Sequence, residues 1–203
     1  MTSSSRDFQL AVAKLIASPQ LCVDVIRDED PFFSNYDLTD RDKRRLHAVL
    51  RQKGISACCS LYRMNRVTPV YMQLANTSAI LGDDLIPILE EFWKHFADTT
   101  LQYKAEVLEF GKFLMKKIKD GTVARPYLKE VLQMEVAINE LSYLPEGEER
   151  TLTFAHDIIQ VLASVHSSTL STDLIEKCRC TYKLYMRALE IQIDLVHEEN
   201  PLS

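Results

Sequence analysis

Residues 83–96 of this chain have the sequence DDLIPILEEFWKHF, and no other stretch shows so strong a secondary-structure signal. Its large apolar residues recur at helical spacing, at Leu85, Ile88, Leu89, Phe92 and Phe96. Such spacing places them on one face of an amphipathic helix. The aspartates before Leu85 are typical of the start of a helix. We therefore expect a helix that packs one face into an apolar core.

The flanking segments predict further helices. Thr39-x-x-Asp42 resembles a capping box, with Asp in place of the usual Glu, and opens a helix that Gly54 ends. Residues 55–81 predict a long helical region bent by Pro69. Further helices are predicted over residues 101–119, 126–141 and 152–165. The predicted fold class is all-α, an irregular bundle of about seven to eight helices.

The C-terminal segment fits two patterns. Helical spacing relates Ile175, Cys178, Tyr182, Tyr185 and Leu189. Strand-like alternation relates Leu189, Ile191, Ile193 and Leu195. We predict a helix, because no second strand is visible for a lone strand to pair with. A short strand near the C-terminus stays open as the alternative.

Composition places the chain among ordinary globular proteins. It has 203 residues, of which 46% are hydrophobic and 26% are charged. We expect two helical units, residues 1–55 and residues 56–203. No apolar run approaches the roughly 20 residues of a membrane-spanning helix, and the N-terminus lacks the features of a signal peptide. The predicted location is cytoplasmic, without contact with a membrane.

Charge is distributed unevenly. The net charge is −5, but residues 38–66 contain eight basic side chains against two acidic ones. Four arginines are expected on the polar face of the predicted helix that starts after Thr39: Arg41, Arg44, Arg45 and Arg51. This asymmetry predicts a basic surface that faces an anionic partner.

Glu135 is the most informative single residue. It projects from the middle of an apolar arc on the helix of residues 127–141. A buried carboxylate must be hydrogen-bonded, paired or protonated. The structural interpretation is an internal ion pair with Arg63 or Arg66, and the functional one is a carboxylate for proton transfer or metal binding.

The stretch Tyr62-Arg63-Met64-Asn65-Arg66 is rich in hydrogen-bond donors. Arg63 and Arg66 are three residues apart and can share a helix face. Two guanidinium groups together can bind a carboxylate, a phosphate or a peptide backbone. They can equally satisfy internal carboxylates, and the sequence leaves both interpretations open.

The chain carries no self-sufficient catalytic or metal-binding motif. Five histidines are scattered, and the paired Glu-x-x-His motifs of a helical di-iron site do not occur. Phosphate-loop, dinucleotide and serine-elbow motifs are also missing. The spacing of Cys58-Cys59 and of Cys178-x-Cys180 does not match common zinc knuckles, so we expect structural or bystander cysteines. We predict no cofactor in this chain.

Two family resemblances follow from these residues. Residues 18–55 are similar to the small helical subunit of protocatechuate-type extradiol dioxygenases, with a short helix, a tyrosine-containing loop, a Leu-Thr cap and a helix that ends at Gly. Residues 61–141 resemble a family catalogued as DNA-binding domains. The matching residues are Leu61-Tyr62-Arg63, Asn65-Arg66, Ile80-Leu81-Gly82, Phe113-Leu114, Tyr127-Leu128 and Glu135.

The second resemblance implies a function. Members of that family often accompany a TIM-barrel enzyme with two or three irons that modifies ribosomally made peptides, as in methanobactin-type oxazolone or thiaglutamate formation. The chain would then be a non-catalytic partner subunit in a heterodimer for natural-product biosynthesis. It would bind the precursor or leader peptide and present a cysteine to the iron of its partner. The resemblance makes Tyr62, Arg63, Asn65 and Arg66 candidates for the peptide or partner site.

Two alternatives remain from the sequence. One is a DNA-binding transcriptional regulator, although a sequence pI near 5.6 lies far below the value above about 9 that is usual for such domains. The other is a stand-alone helical oxidase that uses Glu135, Glu106, Glu109 or His95. It lacks the repeated Glu-x-x-His motif that such chemistry needs.

Overall fold

The computed structural model describes residues 3–17, 19–52, 54–95, 103–165, 175 and 177–199. The chain divides into two compact units, Met1–Thr68 and Pro69–Ser203. The helices and strands, in chain order, are α1 (Ser3–Ala17), α2 (Pro19–Arg27), α3 (Asp30–Phe33), α4 (Asp40–Leu50), α5 (Gly54–Gln73), α6 (Ala75–Leu81), α7 (Leu85–His95), α8 (Tyr103–Lys119), α9 (Leu128–Leu141), β1 (Glu149–His156), α10 (Ile158–Val165), β2 (Lys177–Arg187) and β3 (Glu190–Glu199).

The predicted division after residue 55 falls at the start of α5, which begins in the first unit and ends in the second.

The described part of the first unit consists of helices joined by short loops, without a strand. Its core contains side chains from α1, α2, α3 and α4: Ala11, Leu15, Cys22, Val25, Phe32, Phe33, Leu46 and Leu50. The capping box predicted at the start of α4 is present. The amide of Asp42 donates to Oγ1 of Thr39 at 3.2 Å, and the amide of Thr39 donates to Oδ2 of Asp42 at 3.3 Å.

The second unit packs helices against a small sheet. The helix predicted from residues 83–96 is confirmed as α7, in which Leu85, Ile88, Leu89 and Phe92 are buried. Phe96 lies outside the described residues. Helix α9 is the central element, because eight of its residues are buried. A methyl group at Gly111 of α8 would lie 2.7 Å from Cγ2 of Val136, so glycine allows α8 and α9 to approach closely.

The all-α prediction is wrong for the C-terminal part of the second unit. Strands β1, β2 and β3 form an antiparallel sheet with β2 in the centre. Residues 152–156 belong to β1, and only residues 158–165 of the predicted 152–165 helix are helical. The segment predicted as a C-terminal helix is the β2–β3 hairpin, so the short-strand alternative underestimated the β-structure. The protein is mostly helical rather than purely helical.

The hairpin turn explains why the sequence concealed this sheet. Ala188 and Leu189 connect β2 to β3 with φ values of 52° and 66°. Two consecutive residues at positive φ form the kind of turn that usually contains Asn-Gly or Asp-Gly, and Ala-Leu gives no such signal. In β2, alternate residues Cys180, Tyr182 and Leu184 are buried against the core. The buried face therefore follows the strand period, although a helical pattern also fits the segment.

None of the helices in the described part of the chain combines the length and the apolar surface needed to cross a bilayer.

Candidate functional site

Helix α4 carries the predicted basic surface. Arg41, Arg44, Arg45 and Arg51 are all exposed. Their spacing, together with that of exposed Ala48, follows i, i+3, i+4, i+7 and i+10, which places all five residues on one helix face. The opposite face is fixed by the core, because Leu46 and Leu50 are buried. We call the face formed by these four arginines and Ala48 the arginine face.

One member of the arginine face is held by an aromatic ring. The guanidinium of Arg45 lies 4.9 Å from the ring centroid of Phe8, a cation–π distance. Ala48 has a small side chain at the centre of the face. A helix or an extended segment can therefore approach the backbone of α4 between the arginines.

The second predicted set lies on α5, the next helix of the chain. Asn65 is exposed, whereas Arg63 and Arg66 are half-buried. Tyr62 belongs to α5, but its side chain lies outside the described part of the structure. The structure therefore places seven of the eight predicted binding residues on two consecutive helices, α4 and α5, and the eighth, Arg51, at the C-cap of α4.

Glu135 is buried, with 6% of its surface exposed, as its position in the apolar arc predicts. Its hydrogen bonds come from the start of α6. Oε1 accepts from the amide of Asn76 at 2.7 Å and from its Nδ2 at 3.0 Å, and Oε2 accepts from the amide of Thr77 at 2.9 Å. These amides take the place of the arginine that we expected as partner. The carboxylate caps a helix that has no capping side chain of its own.

Asn139 completes this arrangement one turn further along α9. Its Nδ2 donates at 2.9 Å to the carbonyl of Gln73, the last residue of α5, and at 2.9 Å to the carbonyl of Glu135. Leu74, between α5 and α6, has φ −121° and ψ 52°. Helix α9 thus binds both backbone ends at the break, the carbonyl before it and the amides after it. The role of Glu135 is structural in this arrangement.

An open pocket of about 510 Å³ lies in the second unit, and the sequence did not predict it. Its walls come from the end of α8, the following loop, the first turn of α9 and the end of β1. The polar side chains at the pocket are Arg125, Tyr127, Lys129, Glu130 and His156.

A glutamate–histidine pair lies in this pocket. Nδ1 of His156 is 3.0 Å from Oε2 of Glu130, and their side chains are 18% and 15% exposed. A carboxylate only accepts hydrogen bonds, so this contact favours the tautomer of the neutral ring in which Nδ1 carries the proton and Nε2 has the lone pair. A histidine held in this way can accept a proton through Nε2.

Tyr127 packs against the ring of His156. Its ring meets that of His156 edge-on, with centroids 4.9 Å apart and an interplanar angle of 87°. The backbone of Tyr127 has φ 58°, which is rare for a bulky residue and costs on the order of 1–2 kcal/mol. The packing of the ring and the start of α9 keep the residue in this conformation.

The same glutamate also holds an irregularity of the sheet. Two residues of β2, Cys178 and Arg179, lie opposite the single residue Ala155 of β1, which is a β-bulge. The amide of Ala155 donates to Oε1 of Glu130 at 2.8 Å. Glu130 therefore binds the backbone at the bulge with one oxygen and His156 with the other.

A second, partly buried polar contact lies beside the bulge. The hydroxyl of Tyr182 donates to Oδ1 of Asp157 at 2.6 Å. Burial and this hydrogen bond raise the pKa of Tyr182 well above its ordinary value. Burial also acts to raise the pKa of Asp157, but the hydrogen bonds from Tyr182, Gln160 and Ile159 outweigh it and hold that pKa below its ordinary value. The pair is therefore a neutral phenol that donates to a charged carboxylate.

No three His, Cys, Asp or Glu side chains are gathered as metal ligands in the part of the chain that the structure describes. Comparison of the chain with protein-family models, with curated proteins and with solved structures finds no match. Function must therefore be argued from the geometry together with the resemblances in the sequence.

The sequence carried only a weak signal for the pocket. Glu130 and His156 are 26 residues apart and belong to different elements. Because the prediction placed His156 in a helix, its contact with α9 could not be anticipated. The Leu152 and Phe154 alternation before His156 was the available signal for a strand.

Proposed function

We propose that this chain is a non-catalytic partner subunit that binds a ribosomally made precursor peptide and presents its cysteine to an iron-dependent modifying enzyme. The observation that carries the proposal is the arginine face of α4, an exposed basic surface on a chain with a net charge of −5. The family resemblance of residues 61–141 supports the class of partner, a TIM-barrel enzyme with several irons. The iron belongs to that enzyme, and this chain would contribute peptide binding.

An acidic segment of the peptide is the chemistry that fits the arginine face. Guanidinium groups bind carboxylates through two parallel hydrogen bonds, and their spacing over three helical turns matches acidic residues along one face of a second helix. Each exposed pair contributes only about 0.2–1 kcal/mol, so the charges mainly raise the association rate and set the orientation. Apolar contacts of the peptide would supply most of the affinity.

The test uses tagged protein purified from its native host, with metal analysis and mass spectrometry of the material that copurifies. Wild type should bring down an iron-containing enzyme in equal amount, together with a peptide. The double variant Arg41→Glu/Arg44→Glu should lose the peptide. The matched single variants Arg44→Glu and Lys43→Glu change the same charge at neighbouring positions of α4, and only Arg44→Glu should weaken binding, since Lys43 lies off the arginine face.

Two outcomes would overturn the proposal. In the first, no iron protein copurifies and the isolated chain itself carries stoichiometric iron. In the second, Lys43→Glu weakens peptide binding as much as Arg44→Glu, which would show that net charge rather than the arginine face is recognised.

The arginine face also favours a second candidate, a DNA-binding regulator, because the same groups bind phosphate. A fluorescent duplex and a fluorescent glutamate-rich peptide, compared by anisotropy, separate the two candidates. Binding of the duplex that falls steeply with added salt, without binding of the peptide, would establish the regulator in place of the partner subunit.

A further inference from the structure

Two cysteine thiols lie close together near the start of strand β2, at its bulge. Neither Cys178 nor Cys180 forms a disulfide, and their sulfur atoms lie 3.0 Å apart. Side chains two residues apart on a regular strand point to the same face but are separated by about 6–7 Å along it. The sulfurs are therefore much closer than strand geometry alone would place them.

The β-bulge accounts for this approach. Cys178 and Arg179 together lie opposite Ala155, between the paired positions Lys177 and Cys180, so β2 has one extra residue here. A bulge bends its strand and increases the local twist, and it changes the direction of the side chains beside it. Glu130 holds the opposite side of this bulge through the amide of Ala155.

The two thiols differ in access. Cys180 is 1% exposed and belongs to the core cluster that contains Phe154 and Tyr182. Cys178 is only half-buried. An outside reagent can therefore reach Cys178, whereas buried Cys180 has the sulfur of Cys178 within 3.0 Å as its reaction partner.

We propose that Cys178 and Cys180 form a thiol–disulfide exchange site that reacts with small-molecule disulfides such as oxidised glutathione. The Cys178 thiolate attacks one sulfur of the disulfide, whose S–S bond breaks and releases one glutathione thiolate, which takes up a proton. The Cys180 thiol loses its proton to solvent and attacks Sγ of Cys178. The second glutathione leaves, so the disulfide is reduced to two thiols while the protein is oxidised to an internal disulfide.

This site is independent of the arginine face, which lies in the other unit. A disulfide requires Cβ atoms about 3.5–4.5 Å apart, closer than two positions along a strand allow. The disulfide would form where the bulge already departs from regular strand geometry. A disulfide between residues so close along a strand is strained and easy to reduce, so the site should respond to the glutathione ratio rather than stay oxidised.

The experiment equilibrates the full chain in glutathione buffers of increasing oxidised fraction, traps free thiols by alkylation and maps them by mass spectrometry. Wild type should form an internal disulfide between Cys178 and Cys180. Cys180→Ala should instead accumulate one glutathione on Cys178, because no second thiol completes the exchange. Cys178→Ser should leave Cys180 unreacted while the protein is folded.

Cys22→Ser is the matched control. Cys22 is a buried cysteine of the first unit that forms no disulfide. Its thiol donates to the carbonyl of Leu15 at 2.9 Å, and its replacement should leave the exchange at Cys178 unchanged. Far-UV circular dichroism establishes that each variant is folded. If Cys180→Ala does not fold, Cys180→Val replaces it in the experiment. Two independent glutathione adducts on wild type, or first reaction at Cys180, would overturn the proposal.

Discussion

Replacement of Glu135 by alanine removes the carboxylate that closes the first turn of α6. The backbone amides of Asn76, at a half-buried position, and of Thr77, at a buried one, then lose their acceptor. A buried polar group left without a partner costs about 1–3 kcal/mol, which gives about 2–6 kcal/mol for the two amides. Loss of a helix N-cap alone costs about 0.5–2 kcal/mol. We expect Glu135→Ala to lower the free energy of unfolding of the second unit by about 3–4 kcal/mol.

Glu135→Gln tests the same reasoning with less disturbance of volume. One amide oxygen remains to accept a hydrogen bond, while the other position becomes a donor that faces an N–H group. We expect a loss of about 1–2 kcal/mol, intermediate between wild type and alanine.

Urea unfolding followed by tryptophan fluorescence measures these changes. The chain has a single tryptophan, Trp93 in α7, so the signal reports the second unit. Glu140→Ala on the same helix is the control. Its side chain is 40% exposed and lies 3.9 Å from Arg150, so its loss should cost less than about 0.5 kcal/mol. If Glu135→Ala costs no more than Glu140→Ala, the capping role of Glu135 is refuted.

Three further changes are expected to alter stability in measurable ways. Thr77→Val removes a buried hydroxyl that has no hydrogen-bond partner among the described residues, so it should raise the urea midpoint by the equivalent of about 1 kcal/mol; a loss would show that the hydroxyl is satisfied. The double variant Ala188→Asn/Leu189→Gly suits both positive φ values and should raise the free energy of unfolding by about 1–2 kcal/mol. Thermal melting measures this change, and an unchanged melting temperature would mean that the turn is not strained. The raised pKa of Tyr182 means that its contribution to stability is fully present below the ordinary value of 10.0 and is lost as the pH rises further. Tyr182→Phe should therefore be less stable than wild type at neutral pH but lose less stability than wild type between about pH 9 and 11, as measured by urea titrations. An equal loss of stability in both proteins over this pH range would contradict the reasoning.

The sequence predicted the helical elements whose signals are local. The Thr39–Asp42 capping box and the periodic apolar face of α7 depend on residues within a few turns, and both are found as expected. Burial of Glu135 could also be predicted, because it needs only the apolar arc of its own helix.

The elements that the sequence did not predict depend on distant residues. The carboxylate of Glu135 accepts its hydrogen bond from the amide of Asn76, 59 positions away in the sequence. The break after Gln73 has no local capping side chain, and the turn at Ala188 has no glycine. The pocket and the thiol pair both require the β1–β2 register and its bulge, which no single segment specifies.

The cap supplied by α9 has a consequence for the order in which the chain can fold during synthesis. Residues 54–81 leave the ribosome well before residue 135, and Leu74, the N-cap residue of α6, makes no side-chain capping hydrogen bond. During that interval the hydrogen bonds by which α9 fixes the break between α5 and α6 cannot form. Only when α9 emerges do Glu135 and Asn139 become available, so this part of the protein acquires its final shape late in translation.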